Sequence, residues 1–377
     1  MVDLKDSREK IDKIDHQIVE LFEQRMKIAS DVADYKIQTG KKVLDKEREN
    51  QKLEHLSALA SNPFNKHAVN ELFSQIMSMS RKWQYSKMAS NTPTEFVPFE
   101  HLDINQDTKV AYFGEPGSNT EQAMLEYFGK EVDGQGVGSF KTIMEMVKDG
   151  TVEYGVLPIE NSSTGGITDI FDLLFEYGNT IIGEHCVKIE HVLLAKEGTT
   201  LADVKEVYSH PQGILQCRSF FENMDEVTLK EFESTSAAAK YASEHPGKEV
   251  AAIASVRAGQ YYWLTPIATS ISTENKNYTR FIIITNKKWF HKDANKVSIC
   301  FEIPHESGSL YNMLSHIIYN GLNMTKIESR PIRGRTWEYR FFVEFEGNLK
   351  DAGVKNALVG IHQEASDFKI IGNFRTI

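Results

Sequence analysis

From Asp3 to Gln38 the chain contains neither glycine nor proline, and Ile11, Ile14, Ile18, Leu21, Ile28, Val32 and Tyr35 recur at the three- and four-residue spacing of a coiled-coil seam. One unbroken helix is expected. At 1.5 Å per residue it forms a rod of roughly 50 Å, longer than about ninety residues can cover with their own remaining helices. A second chain is expected to supply the missing cover. Counting heptads from Ile11 and Ile18 puts Arg25 at the next inward position. A guanidinium buried there needs a counter-anion, unless it pairs with a neighbouring Glu or serves only to fix the register. Lys36 follows about three whole turns later and projects from the same side, so both side chains can converge on one small ligand. Arg8 lies about 25 Å from Arg25 along the axis and reaches that ligand only from an antiparallel partner helix.

After Gly40, the string KVLDKERENQKLEHL is expected to start a second helix with Asp45, Arg48 and Glu49 on one face. A third is expected over about His67 to Ser86, with Leu72, Phe73, Ile76 and Met77 inward and Ser80 and Gln84 one turn apart. Spacing alone leaves these polar pairs as a solvated face or intrahelical salt bridges.

The set Arg8, Arg25, Lys36, Asp45, Arg48, Glu49, Ser80 and Gln84, in that order and at those spacings, resembles the all-helical chorismate mutase family. The resemblance implies an intertwined three-helix homodimer over residues 1–87. It also implies that Arg8 of one chain and Arg25 and Arg48 of the other contact the substrate carboxylates. Lys36 and Gln84 are implied to hydrogen-bond the ether oxygen, and Asp45, Glu49 and Ser80 to hold the hydroxyl end and the carboxylates. The implied reaction, chorismate to prephenate, needs no nucleophile and no proton shuttle. It needs compression of a dianion into its reactive chair and donors at the oxygen that gains charge as the C–O bond breaks.

Lys plus Arg number 43 against 53 for Asp plus Glu, a net charge of −10 that argues against nucleic acid and against a polybasic membrane anchor. An anionic ligand therefore needs locally placed cations. Cys186, Cys217 and Cys300 have no metal spacing, so no disulfide framework, metal site or cofactor is expected, and the thiols are expected to be buried and reduced. The charged start from Asp3 to Asp15 lacks the apolar core of a signal peptide, and no apolar run reaches spanning length; the expected compartment is the cytoplasm.

Residues 88–108 carry two prolines and no sustained period and read as a linker. Beyond it, strand, loop and helix alternate: KVAYF runs into GEPGSNT, and YGVLP into a hydroxyl-rich turn from Glu160 to Gly166 before a helical segment with Ile167, Ile170, Phe171 and Leu174. Asn161, Ser162, Ser163 and Thr164 are expected beside the free N–H groups of that helix, as ordinary caps or as an anion site. Ser118, the Ser209-His210-Pro211-Gln212 turn, Ser255 and Asn275 to Arg280 fall at comparable junctions of an α/β domain, where ligands bind. The strings GVLPIENSSTGG, SHPQ, STSAAAK and NYTRF resemble the prephenate dehydratase family over about Lys109 to Asn286, with Asn119 standing where that family usually has an aromatic residue.

That resemblance implies two α/β lobes over residues 109–287 with the site in the cleft between them. The implied chemistry is loss of carbon dioxide and the ring hydroxyl from prephenate, giving phenylpyruvate. Thr279 is the implied donor to the leaving hydroxyl, oriented with help from Glu160 or His210. Asn161, Ser162, Thr164, Gln212 and Gln216 are placed to hold ligand oxygens, with Ser118 matched in the first loop. Arg280 pairs with a carboxylate or braces the loop, and Phe281 belongs to the core. Prephenate and arogenate stay open as substrates.

From Lys296 the pattern is strand, helix, strand, strand, helix, strand, a ferredoxin-like order over residues 296–377. The junction Gly308-Ser309-Leu310 and the string IESRP resemble the ACT regulatory domains of prephenate dehydratases, with Ser309 in place of their usual alanine. L-phenylalanine is the implied effector, with Gly308, Ser309 and Leu310 at the helix N-terminus and Glu328 and Ser329 against ligand or partner strand. The whole reads as a feedback-controlled enzyme of two consecutive steps, a homodimer or higher homo-oligomer. A solute-binding or amino-acid-sensing protein also uses such lobes, but it has no reason to keep the eight polar positions of the first segment.

Overall fold

The computed structural model describes residues 3–89, 95–273 and 276–376. Asn275, the two ends of the chain and part of the 88–108 stretch lie outside the described residues. The chain falls into two compact units, Met1–Thr94 with Phe301–Phe368 and Glu95–Cys300 with Lys369–Ile377.

In the first unit, helix Leu4–Thr39 is a single 36-residue rod, capped by the Asp3 carboxylate at its start and by Gly40 in the left-handed region at its end. Ala33 is its one buried residue among those described. Ile11, Ile14, Ile18, Leu21 and Ile28 are each more than half exposed. Helix Lys46–Ala58 begins later than the expected Lys42, because the Asp45 side chain accepts the Arg48 N–H and so stands as its cap. Helix Pro63–Ala89 starts a turn earlier than expected, with proline at a position that needs no N–H. It packs against both other helices and against helix Ala352–Glu364, which in turn packs on helix Ser309–Tyr319. The C-terminal elements follow the expected order, from strand Lys296–Glu302 to strand Asp367–Phe374. Strands Met324–Pro331 and Tyr339–Glu346 pair antiparallel, with Ser329 opposite Phe341.

The second unit is α/β. Strand Tyr278–Thr285 lies between strands Tyr154–Asn161 and Thr180–Lys188, antiparallel to both, and strands Lys109–Phe113 and Asp133–Val137 continue that sheet in parallel. Its core includes Val110, Tyr112, Val156, Ile182, Phe281 and Ile283, with helix Asn119–Phe128 adding Ala123 and Met124. The expectation that Phe281 is core holds: it is 2% exposed. A second, five-stranded sheet is built around strand Val250–Ala254. Val250, Ala252 and Ala254 face one apolar cluster while Ala251 and Ile253 face another, so this strand is buried on both sides.

Three local expectations change. The 88–108 stretch contains strand Val97–Phe99, which pairs in parallel with Trp289–His291. The Asn161–Thr164 turn does not cap the following helix: strand Tyr154–Asn161 runs on to Asn161, Gly165 and Gly166 pair back onto Asn161 and Glu160, and the helix starts at Thr168. The reason is local competition, since the Asn161 carboxamide oxygen takes the Ser163 and Thr164 N–H groups at 3.0 and 3.2 Å. Cys186 is exposed, while Cys217 and Cys300 are buried, and none of the three is joined in a disulfide among the described residues.

Candidate functional sites

In the first unit, Arg25, Lys36, Asp45, Arg48, Glu49, Ser80 and Gln84 line one cavity of about 490 Å³. All three helices and the turn after Gly40 contribute, because the rod presents Arg25 and Lys36 on one side and helix Pro63–Ala89 faces that side with Ser80 and Gln84. Arg8 is not part of the lining. Six cations (Arg25, Lys36, Lys41, Arg48, Lys52, Arg81) face two acids (Asp45, Glu49), so an acidic chain carries a locally positive cavity.

The side chains are held by directed bonds. Arg25 donates through Nη1 to Ser80 Oγ, and Lys36 Nζ donates to the Val43 carbonyl at 2.7 Å. The Gln84 amide nitrogen donates to the Ser80 carbonyl at 3.2 Å, while its carboxamide oxygen is buried without a hydrogen-bond partner. Burial lowers the pKa of Arg25, against the charge of Glu49. It also lowers that of Lys36, against Asp45 and Glu49. Sequence reading missed Arg81, next to Ser80, whose Nη1 lies 2.8 and 2.6 Å from the two Glu49 oxygens.

In the second unit, four of the expected residues join one hydrogen-bonded cluster. Asn161 Nδ2 donates to Thr279 Oγ1 at 2.9 Å and to Asn277 Oδ1 at 2.7 Å. Asn277 Nδ2 donates to Gln216 Oε1 at 3.1 Å, and His191 Nε2 lies 2.9 Å from the same oxygen. The Thr164 hydroxyl donates to Asn161 Oδ1 at 3.3 Å. Ser162 lies beside the cluster, its hydroxyl accepting the Tyr278 N–H at 2.9 Å. With its oxygen accepting from Asn161, Thr279 keeps its own proton to donate. Asn277 stands inside the NYTRF string but was not singled out there; His191 precedes a strand and carries no local signal. Burial lowers the His191 pKa against the Gln216 bond, so this imidazole is neutral at pH 7.

Arg280 reaches Glu184 at 2.9 Å and Glu160 at 3.1 Å, which favours the bracing role over a ligand contact. His210 caps helix Pro211–Cys217: its Nδ1 accepts the Gln212 N–H at 3.3 Å, leaving Nε2 to carry the proton, and burial lowers its pKa against the charge of Glu231. Ser118 caps helix Asn119–Phe128. Gly117 before it has φ of +83°, and a Cβ there would come within 2.9 Å of the Ala258 Cα. Only glycine lets this loop meet the helix capped by Ser255, whose hydroxyl donates to the Gly117 carbonyl at 3.2 Å.

A second, smaller cavity of about 120 Å³ in the first unit is lined by Ser309, Leu310, Glu306, Tyr339, Phe341 and Trp337, among others. Gly308, with φ of +81°, caps helix Ser309–Tyr319 above open space. Glu328 and Ser329 sit in the neighbouring strand and do not line this cavity. Trp337, with positive φ and exposed, was not expected from sequence. Among the described residues no helix is long and apolar enough to cross a membrane, and no group of three His, Cys, Asp or Glu is disposed to hold a metal ion.

Residues 7–85 match the family model of chorismate mutase type II, and residues 110–289 that of prephenate dehydratase. A bifunctional chorismate mutase/prephenate dehydratase of Pseudomonas aeruginosa is 32% identical, covering 98% of this chain and 97% of the relative. The chain belongs to the bifunctional chorismate mutase/prephenate dehydratase family. Two solved structures cover 71% of it at 27% identity and a TM-score of 0.66. One is a prephenate dehydratase of Arthrobacter aurescens in complex with L-Phe, aligned over 90% of that chain. The other is GqqA, a novel type of quorum-quenching acylase, aligned over 98% of its length. Chorismate mutase and prephenate dehydratase activities therefore share one polypeptide, turning chorismate into prephenate and prephenate into phenylpyruvate.

Proposed function

We propose that the positive cavity of the helical segment is the mutase site and that the Thr279 cluster is the dehydratase site. The observation that carries the first assignment is the convergence of Arg25, Lys36, Asp45, Arg48, Glu49, Ser80 and Gln84 on one cavity. Arg25 and Arg48 take the substrate carboxylates and hold the dianion in its folded chair, so that proximity is already supplied before the C–O bond breaks. Lys36 and Gln84 donate to the ether oxygen as it gains charge. Arg8 completes the site from a second chain, and the exposed seam from Ile11 to Ile28 supports a homodimer in which two rods cover each other.

At the second site, the Thr279 hydroxyl, oriented by Asn161, donates to the departing ring hydroxyl of prephenate. Aromatisation supplies the driving force, and Asn161, Ser162, Thr164, Gln212 and Gln216 hold the ligand oxygens away from bulk water. Ser118 and His210 are further contacts in this reading, and Arg280 braces Glu160.

We further infer an ACT-like regulatory module over residues 296–377 that takes L-phenylalanine at Gly308, Ser309 and Leu310, with Glu328 and Ser329 toward the partner strand. The L-Phe complex of the Arthrobacter aurescens relative supports that effector, and the open N-terminus at Gly308 suits a carboxylate. Inhibition requires that the effector bind one arrangement of the protein better than the other. A cytoplasmic setting, with no cysteine in a disulfide among the described residues, is part of the same reading.

One experiment tests the whole: purified protein is given chorismate, and absorbance follows chorismate loss and phenylpyruvate in alkali, with and without L-phenylalanine. Both steps are expected, the second slowed by effector. Unchanged chorismate removes the mutase assignment, and unaltered phenylpyruvate formation at millimolar phenylalanine removes the regulatory one.

A further inference from the structure

Arg81 belongs to none of the positions that mark the mutase family, yet it is the most enclosed cation beside the cavity. Its side chain is 8% exposed, and that of Glu364, from the C-terminal stretch, is 5% exposed. Nη1 of Arg81 engages both oxygens of Glu49, and Nε donates to Glu364 at 2.8 Å. One planar guanidinium thus joins a mutase carboxylate to a carboxylate near the far end of the chain.

Glu364 is itself fixed from other sides. His316 Nε2 lies 3.5 Å from its oxygen, and the His316 ring is wedged between Tyr85, at 5.8 Å between centroids, and Gly360. A Cβ at Gly360 would come within 2.4 Å of His316 Nδ1, so the ring sits directly over the glycine in space that a side chain there would take. Burying three charges is costly, and a row that orders one carboxylate of a working site is a use that offsets the cost. Arg81 also lines a separate cavity of about 390 Å³ together with Glu364, Ser309, Asn312 and Lys46.

We propose that Arg81 is a positioning residue for the mutase reaction: anchored on Glu364 and His316, it fixes Glu49 toward the substrate and keeps that carboxylate from Arg25 and Lys36. This rests on the assignment of the helical cavity as the mutase site. Without Arg81, the Glu49 carboxylate swings to the cations meant for the substrate and competes with it. The C-terminal module then sets how well the mutase binds, through the Glu364 carboxylate.

The test is mutase kinetics on the full-length protein for Arg81→Gln, Arg81→Lys, Glu364→Gln, Glu49→Gln and the Arg81→Gln/Glu49→Gln double variant, with turnover of prephenate as the control for folding. Arg81→Gln is expected to lower mutase kcat/KM by about tenfold, chiefly through KM, and Glu364→Gln by about threefold, while Arg81→Lys recovers part of the loss. In the Glu49→Gln background, Arg81→Gln is expected to cost less than about twofold. An equal cost in both backgrounds overturns the proposal and leaves the site assignment standing. A fully active Glu49→Gln overturns the role given to Glu49 and the proposal with it. If Arg81→Gln loses both activities by unfolding, Glu364→Gln decides, and unchanged mutase kinetics there overturn the proposal.

Discussion

Asn161 donates to the Thr279 hydroxyl oxygen across 2.9 Å, and the two residues face each other in the register of neighbouring antiparallel strands. Strand pairing therefore sets the distance, and the carboxamide sets which way the hydroxyl points. A donor held in this manner needs no reorganisation when charge develops on the leaving group. Thr279→Val, which keeps the shape and removes the hydroxyl, is expected to lower dehydratase kcat about a hundredfold or more, whereas Thr279→Ser stays within about tenfold. Mutase turnover in the same samples reports on folding; full dehydratase activity in the valine variant removes Thr279 from the mechanism.

On the proposed site assignment, Lys36 is expected to give the mutase an alkaline limit. Its pKa lies below the ordinary 10.5 because burial disfavours the ammonium more than Asp45 and Glu49 favour it. The protonated form is the donor, so mutase kcat/KM is expected to be flat through neutrality and to fall as pH rises past this lowered pKa. Lys36→Gln is expected to lose at least about a hundredfold in rate at pH 7 and to abolish the alkaline limb, since a carboxamide does not titrate. A limb that survives in Lys36→Gln assigns it to another group.

The exposed seam of the rod predicts assembly. Ile14→Glu together with Ile18→Glu is expected to convert the protein to monomers by sedimentation and to remove mutase activity. Complementation gives the sharper reading: Arg8→Ala and Arg25→Ala are each expected to be inactive. If, as proposed, each shared site draws one arginine from each chain, an equal mixture that exchanges subunits is expected to regain about a quarter of wild-type rate. No recovery on mixing means that both arginines belong to one chain's site.

Glu364 places an acid-sensitive group in the first unit. Burial opposes its charge, yet the His316 hydrogen bond and the Arg81 charge bring its pKa from 4.5 to about 2. A carboxylate depressed on folding contributes stability above about pH 4.5, and this is lost as pH falls toward 2. The shift corresponds to on the order of 3 kcal/mol. The Tm gap between wild type and Glu364→Gln is therefore expected to be constant above about pH 5 and to close progressively below pH 4. A gap that widens in acid contradicts the ion pair.

How far the sequence could be read depended on the range of the interaction. The rod and its seam follow from a period and the absence of helix breakers, and the Arg25–Lys36 face from helical geometry, so both were legible. Asn277 stood inside a quoted string but was not singled out, since nothing local distinguishes an asparagine that accepts from Asn161 116 residues away. The Asn161–Thr164 turn was expected beside the N-terminus of the following helix, as caps or as an anion site, but the Asn161 carboxamide folds back on its own loop and the helix starts only at Thr168. The late start of the second helix has a similar origin, a side chain closing on a backbone N–H three residues on.

What the residues alone determined was the order of elements, the repertoire of cations and hydroxyls and hence the kind of ligand, because spacing and side-chain chemistry are properties of the chain. Only the folded structure decided that Arg81 stands between Glu49 and Glu364, that Arg280 is occupied by Glu160 and Glu184, and that His191 supports Gln216. Each of these joins positions far apart in sequence through a buried polar contact. A buried charge must find its partner wherever packing brings one, and no periodicity records which partner that is.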